Sequence, residues 1–256
     1  MGKIISVVNQ KGGVGKTTTS VNLAAYLAAD GREVLLVDLD PQANATSGIG
    51  IEHQKLEAGI YEALLGQKPL FSVIKRTVQP HLSVAPATVS LAGAGIEMVS
   101  LENREFRLAL MLEEVRADYD YIIIDGPPSL GLLTVNSLVA SDSVLIPIQS
   151  EYYALEGLGQ LLETVQLVRD NLKPSLEIMG AVVTMFDRRN KLSGAVLEEL
   201  KKFFPGKIFD SIIPRSVKLA EAPSYGRSIL HYDPKSSGAK AYLGLAKEVI
   251  ALEAIK

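Results

Sequence analysis

In the stretch NQKGGVGKTTTS, Asn9 to Ser20, a lysine and a hydroxyl residue follow three closely spaced glycines. Lys16 and Thr17 are the residue types that handle a polyphosphate: an ammonium for the β- and γ-phosphates, and a hydroxyl for the Mg²⁺ that accompanies them. Gly12, Gly13 and Gly15 let the backbone curl so that successive N–H groups face an anion, and a helix beginning near Lys16 adds its dipole. Val14 and Thr18 fall within the same nucleotide-binding stretch. The loop departs from G-x-x-x-x-G-K-[ST] at one place. The first glycine should fall at position 10, which is Gln10, and a second lysine, Lys11, follows at once.

Two further sets of carboxylates suit nucleotide hydrolysis. Asp125 ends the run YIIID, where it can hold Mg²⁺ through water. Asp38 and Asp40 end EVLLVDLD, and Asp40 is a second candidate for a water-mediated metal contact. Pro41 then breaks regular structure, leaving the following residues to form a switch loop. A glycine-rich turn alone is common, and an aspartate at a strand end is often a helix cap. The order and spacing of all three together favour a nucleotide site.

These residues need strands to present them. KIISVV (3–8) is a short β-branched run, followed by the glycine turn and by helical spacing of Val21, Leu23, Ala24, Leu27 and Ala28 over 17–29. Similar apolar runs recur at 33–38, 82–86, 121–125, 143–148, 178–184 and 208–214. Runs without polar alternation predict strands covered on both faces. Helical patterns at 103–117, 130–140, 155–172, 193–203 and 237–254 alternate with most of them, and 49–76 reads as helical and loop-rich. The expected fold is α/β: a mostly parallel twisted sheet with helices on both faces and ligand sites at the carboxyl ends of the strands.

The 256 residues, 47% hydrophobic, fit a single domain over 1–256, with no repeat, linker or low-complexity tract. With no cysteine, a disulfide framework, a thiol nucleophile and a cysteine-held cluster are excluded. His53, His81 and His231 are too scattered for a metal site. No apolar run suits a secretory signal or a membrane span, which points to the cytoplasm. Gly2 and Ser6 match a loose myristoylation pattern, but they also open a strand. Net charge is −3, unevenly spread: residues 184–256 carry 13 Lys and Arg against 8 Asp and Glu, a net of +5, leaving −8 on residues 1–183. A basic C-terminal third suggests an anionic partner, although a solvated face of uneven charge explains it as well.

Over essentially its whole length the chain resembles the deviant Walker A ATPases of the ParA/Soj/MinD type, P-loop NTPases whose loop reads K-G-G-x-G-K-[ST], here Lys11 to Thr17. The resemblance makes Gln10 part of the family pattern. It implies that Lys11 crosses the interface of an ATP-dependent homodimer to the partner's nucleotide. DLDPQANAT (38–46) resembles switch I, with Asp40 orienting the attacking water, and DGPPSLG (125–131) resembles switch II. The implied catalytic residues are Lys11, Lys16 and Asp40, the implied cofactors ATP and Mg²⁺, and the implied activity a slow ATPase. Around IPRSVKLAEAPSYG, Pro214 and Arg215 resemble the part that packs near adenine. That segment and EYYALEGL (151–158) resemble the partition branch, in its short form without a helix-turn-helix extension.

The resemblance also implies non-specific binding of double-stranded DNA, cytoplasmic and nucleoid-associated, with hydrolysis stimulated by a ParB-like protein. The matching positions are Arg189 and Lys218, with Arg188, Lys191, Arg215, Lys240 and Lys247 as secondary candidates. Alternatives are a cargo- or division-positioning ATPase of the MinD or McdA kind and a non-hydrolysing regulator, against which the retained Asp40 argues. A membrane-cycling relative would need a basic amphipathic tail. GAKAYLGLAKEVIALEAIK lacks Phe and Trp to insert and reads instead as a docked helix, partly burying Tyr242, Leu243, Leu245, Val249, Ile250 and Leu252. No stable membrane association is expected.

Overall fold

The computed structural model describes residues 2–151 and 154–254. Tyr152 and Tyr153 of EYYALEGL, and Lys256, lie outside the described residues.

Among the described residues seven strands form one sheet: β1 (Lys3–Val7), β2 (Val34–Asp38), β3 (Lys75–Arg76), β4 (Leu82–Ala85), β5 (Tyr121–Asp125), β6 (Ser143–Gln149) and β7 (Glu177–Thr184), in the order β3-β4-β2-β5-β1-β6-β7. Every pairing is parallel except the short antiparallel β3–β4 pair at one edge. The apolar runs are continuous because both faces are covered. Ile5, Val7, Leu36 and Ile123 pack under the helices Lys16–Ala29 and Ser237–Ala254. Their neighbours Ile4, Leu35, Val37, Ile122 and Ile124 point the other way, onto the helices Ile60–Leu64, Leu91–Glu97, Arg107–Glu113 and Leu132–Ala140. Beyond β1, Val144, Ile146 and Val183 pack with Leu161 and Val165 of the helix Ala154–Asn171 and Leu200 of Lys191–Phe203.

The expected strand at 208–214 does not form as one. It makes two isolated bridges, Ala181 of β7 with Ile208 and, just past the end of β7, Phe186 with Pro214. Phe209 and Ile213 still donate to the Ala181 and Val183 carbonyls, but between them the Glu248 carboxylate takes the N–H groups of Asp210 (2.9 Å) and Ser211 (2.8 Å), which are lost to the ladder. The helix expected over 103–117 spans only Arg107–Glu113. Asn103 adopts a left-handed φ of 54°, and Asn136 takes the Leu108 N–H and donates to the Arg104 carbonyl, so the helix starts later. The segment 49–76 holds three short helical turns and β3. In the C-terminal helix, Tyr242, Leu245 and Val249 are buried and Ile250 and Leu252 partly so, whereas Leu243 is 41% exposed, contrary to expectation. Gly2 is buried against the Tyr119 carbonyl, where a Cβ would come within 2.3 Å.

Candidate active site

β1, β5 and β2 are adjacent, and their registers align Val7 with Asp125 and Asp125 with Asp38. The phosphate loop, Asp125 and the Asp38–Asp40 turn therefore emerge together from the carboxyl edge of the sheet. The loop is braced from both ends. Asn9 donates from Nδ2 to the Pro147 carbonyl on β6 (2.8 Å) and accepts the Lys11 N–H on Oδ1 (3.0 Å). The Thr184 hydroxyl, at the end of β7, donates to the Val14 carbonyl (2.8 Å). Left-handed φ values fall at Gly13 (74°) and Gly15 (87°), and Gln10 has none, which is why a glycine is dispensable at position 10. Gly15 then caps the helix Lys16–Ala29.

The two lysines face differently. Lys16 is buried and its Nζ donates to the Lys11 carbonyl (3.1 Å), across its own loop. Lys11 turns outward to Glu151 (3.4 Å), a carboxylate that also accepts from Gln149 Nε2 (2.6 Å) and lies 3.7 Å from Arg215. Exposed pairs of this kind contribute little to stability, so Lys11 is cheaply released.

Asp125 is fully buried. Its Oδ1 accepts from Ser20 Oγ (2.8 Å), while Oδ2, also buried, has no protein partner. The Thr17 side chain lies beside the same carboxylate. A hydroxyl beside a carboxylate with one vacant oxygen fits Mg²⁺ and its shell of water, and among the described residues no cluster of three acidic or histidine side chains offers a cage of its own. Asp38 is equally buried. It accepts the Asp40 N–H (3.1 Å) on Oδ1 and both the N–H (2.8 Å) and the hydroxyl (2.7 Å) of Thr46 on Oδ2. Asp40 in turn accepts the Gln42 N–H (2.9 Å).

Burial pushes both acids up, Asp38 to about 6 and Asp125 to about 7, the charge of Asp38 adding to the second; hydrogen bonds from Thr46 to Asp38 and from Ser20 to Asp125, and the Thr17 side chain beside Asp125, oppose this only in part. Burial lowers Lys16, against the pull of Asp125 and Asp40. An unfolded aspartate titrates near ~3.9. Between about pH 4 and 7 the folded protein thus holds more protons than the unfolded chain, and stability falls as pH rises through that window. Asp125→Asn imitates the protonated acid. It is expected to raise the melting temperature of the nucleotide-free protein by about 4 °C at pH 8, with a much smaller gain at pH 5. Equal gains at both pH values would show that Asp125 is ionised throughout.

Beside the loop, Gly15, Thr18, Thr184, Met185, Pro214 and Tyr242 line an apolar cavity of about 230 Å³, and Arg215 stands at its wall. Sequence reasoning had no signal for Thr184, Met185 or Tyr242 here. Met185 holds a left-handed φ of 51° just past β7, and Tyr242 arrives from the C-terminal helix, its hydroxyl 3.2 Å from that of Thr19.

The two main DNA candidates do not line the cavity, although Lys218 lies on the segment that supplies Arg215, Ser216, Leu219 and Ala220 to its wall. Arg189 forms a two-pronged pair with Asp187 (3.0 and 2.9 Å), and Lys218 pairs with Glu221 (3.1 Å) and stands over the Tyr232 ring. A hydrogen bond from the Arg215 N–H to the Phe186 carbonyl (3.1 Å) joins the two segments that carry them. Arg188, Lys191, Lys240 and Lys247 are exposed. Among the described residues no helix is long and apolar enough to cross a membrane.

Comparison with known proteins agrees with this geometry. Residues 2–178 match the family model described as an AAA domain. The chain is 58% identical to the sporulation initiation inhibitor protein Soj of Bacillus subtilis, over 98% of this chain and 99% of that one. It is 52% identical to the chromosome partitioning protein ParA of Myxococcus xanthus, over 98% and 88%. A solved Mycobacterium smegmatis protein, described as cobyrinic acid a,c-diamide synthase with bound ADP and magnesium, superposes with a TM-score of 0.89 at 36% identity, over 99% of this chain and 96% of that one. Soj and ParA share far more of the sequence than does the synthase. With its phosphate loop, its paired switch aspartates and near-complete coverage by these relatives, the chain belongs to the ParA/Soj family of chromosome-partitioning ATPases.

Proposed function

We propose that the protein is an ATP-driven DNA-partition switch, the whole cycle residing in one domain over residues 1–256. The observation that carries this reading is the convergence of the phosphate loop, Asp40 and Asp125 at the ends of three adjacent strands. Backbone amides of residues 12–17 and Lys16 cradle the phosphates of ATP, and the apolar cavity lined by Pro214 and Met185 takes the base, with Arg215 at its rim. Mg²⁺ supplies charge neutralisation at the phosphates. The Thr17 hydroxyl would hold it directly, and Asp125, with Asp40 as a further candidate, through water. Asp40 orients the attacking water. The transition state of phosphoryl transfer is loose, so orientation matters more than proton removal.

Lys11 leaves Glu151 and reaches the nucleotide of a second copy, closing a homodimer around two ATP molecules. The dimer presents two sets of Arg189 and Lys218 to double-stranded DNA, which places the protein on the nucleoid. A ParB-like partner stimulates hydrolysis and resets the monomer.

The test is binding to nonspecific duplex DNA without nucleotide, with ADP, with ATP, and for Asp40→Ala with ATP, at several salt concentrations, each state also sized. Binding is expected only in the ATP-dimer states and should weaken steeply with salt. Asp40→Ala should hydrolyse ATP roughly 100-fold more slowly and remain on DNA. A well-formed ATP dimer that ignores DNA would remove the nucleoid from the cycle.

A further inference from the structure

The turn that carries Asp40 is held by groups with no part in the chemistry assigned above. Asp38 closes β2 in register with Asp125, and its buried carboxylate accepts three hydrogen bonds, one from the Asp40 N–H and two from Thr46. The Thr46 hydroxyl spends its proton on Asp38 Oδ2 and accepts the Ala87 N–H (3.0 Å) on a lone pair, so both directions of that hydroxyl are used. Thr46 is fully buried, within the helix Asn44–Gly48. Ala43, also buried, adopts a left-handed φ of 53° between Asp40 and that helix. A non-glycine residue keeps such a backbone only where its surroundings enforce it. Here the enforcement comes from both sides: the Ala43 N–H donates to the Asp40 carbonyl (2.9 Å), and Asp38 pins the turn at Asp40 and at Thr46.

We propose that Asp38 and Thr46 are positioning residues for hydrolysis, fixing Asp40 over the attacking water and tying the switch turn to the segment after β4 through the Ala87 amide. This rests on the assignment of Asp40 given under the proposed function. A hydrolytic carboxylate displaced by as little as ~1 Å forfeits about 100-fold in rate, whereas nucleotide affinity, set by the phosphate loop, is untouched. Thr46 and Asp38 are therefore expected to control kcat and not KM. Their chain of bonds runs from β2 to residue 87 without passing through the phosphate loop.

The experiment compares Thr46→Val, Thr46→Ser, Asp38→Asn, Asp40→Ala and Thr46→Val combined with Asp40→Ala. Single-turnover hydrolysis, steady-state kcat and KM for ATP, and ATP-dependent dimerisation are measured for each. Thr46→Val, which keeps the shape and deletes both hydroxyl bonds, is expected to lower kcat about 10- to 100-fold with KM and dimerisation within about threefold. Thr46→Ser should restore kcat to within about threefold, and the combined variant should be no slower than Asp40→Ala alone, because both changes remove the same function. Parental kcat in Thr46→Val overturns the proposal. So does joint loss of dimerisation and hydrolysis in Thr46→Val together with parental kcat in Asp38→Asn, which would mark Thr46 as a folding residue. Parental hydrolysis in Asp40→Ala would instead defeat the assignment of Asp40, and the two failures are thereby told apart.

Discussion

A Lys11→Ala protein is expected to bind ATP within about tenfold of the parent and yet to lose ATP-dependent dimerisation by about 1000-fold. The structure separates the two lysines of the loop. Lys16 lies buried and bonded across its own loop, and Lys11 faces outward to Glu151. Removing one member of a desolvated interfacial charge pair costs about 2–5 kcal/mol, mostly because the remaining charge is left unpaired. A two-fold dimer contains two such lysines, so even the lower figure yields a loss of about 1000-fold. Sedimentation across protein concentrations, with a fluorescent ATP analogue to follow binding, checks both halves. Parental dimerisation would show that Lys11 serves its own nucleotide only.

Combining Arg189→Glu with Lys218→Glu is expected to weaken binding of the ATP dimer to nonspecific DNA by about 1000-fold at moderate salt and to reduce the salt slope by 3 to 4, since about four phosphate contacts per dimer vanish at ~0.9 each. Dimerisation and hydrolysis should persist, because neither side chain belongs to the cluster around the loop. Both cations start in local pairs. The Arg189 side chain is 90% exposed, and its guanidinium holds the Asp187 carboxyl down to about 2, so that pair is intact at neutral pH. DNA phosphate must outcompete Asp187 for Arg189, and Asp187→Asn in the same assay should tighten binding. Unchanged DNA affinity in the double variant would move the interface to another face, with Arg188, Lys191, Lys240 and Lys247 next in turn.

Six of the apolar runs read from the sequence are strands, because a strand buried on both faces announces itself by an unbroken run of Val, Ile and Leu. The seventh run, 208–214, carries the same composition but meets Glu248, 38 residues away from Asp210, and no local pattern reports that encounter. β3 went unseen for the opposite reason. Two polar residues, Lys75 and Arg76, pair at the edge of β4 with no apolar periodicity to mark them. In the candidate site, the glycines, Lys16, Thr17, Asp40 and Asp125 were legible as a group that the fold brings together, because the chemistry proposed for them depends on short spacings. The partners that hold them were not: Thr184 for the loop, Ser20 for Asp125 and Thr46 for Asp38 are ordinary hydroxyls until the fold brings them to 2.8, 2.8 and 2.7 Å. The large pKa shifts of Asp38 and Asp125 likewise come from burial side by side, a consequence of strand order.

That strand order has a further consequence. β1, with the phosphate loop at its tip, divides the sheet: β5, β2 and β4 lie on one side with Asp125, Asp40 and Thr46, and β6 and β7 lie on the other, leading to Arg189 and to the segment that carries Lys218. The two halves still touch away from the loop: the helix Asn44–Gly48 that holds Thr46 packs against the turn Ala222–Tyr225, which continues directly from the helix Val217–Glu221 bearing Lys218. In the proposed machine the timer therefore has a lever on one part of the grip, and a change that retunes the clock through that helix is expected to be felt at Lys218 before it is felt at Arg189.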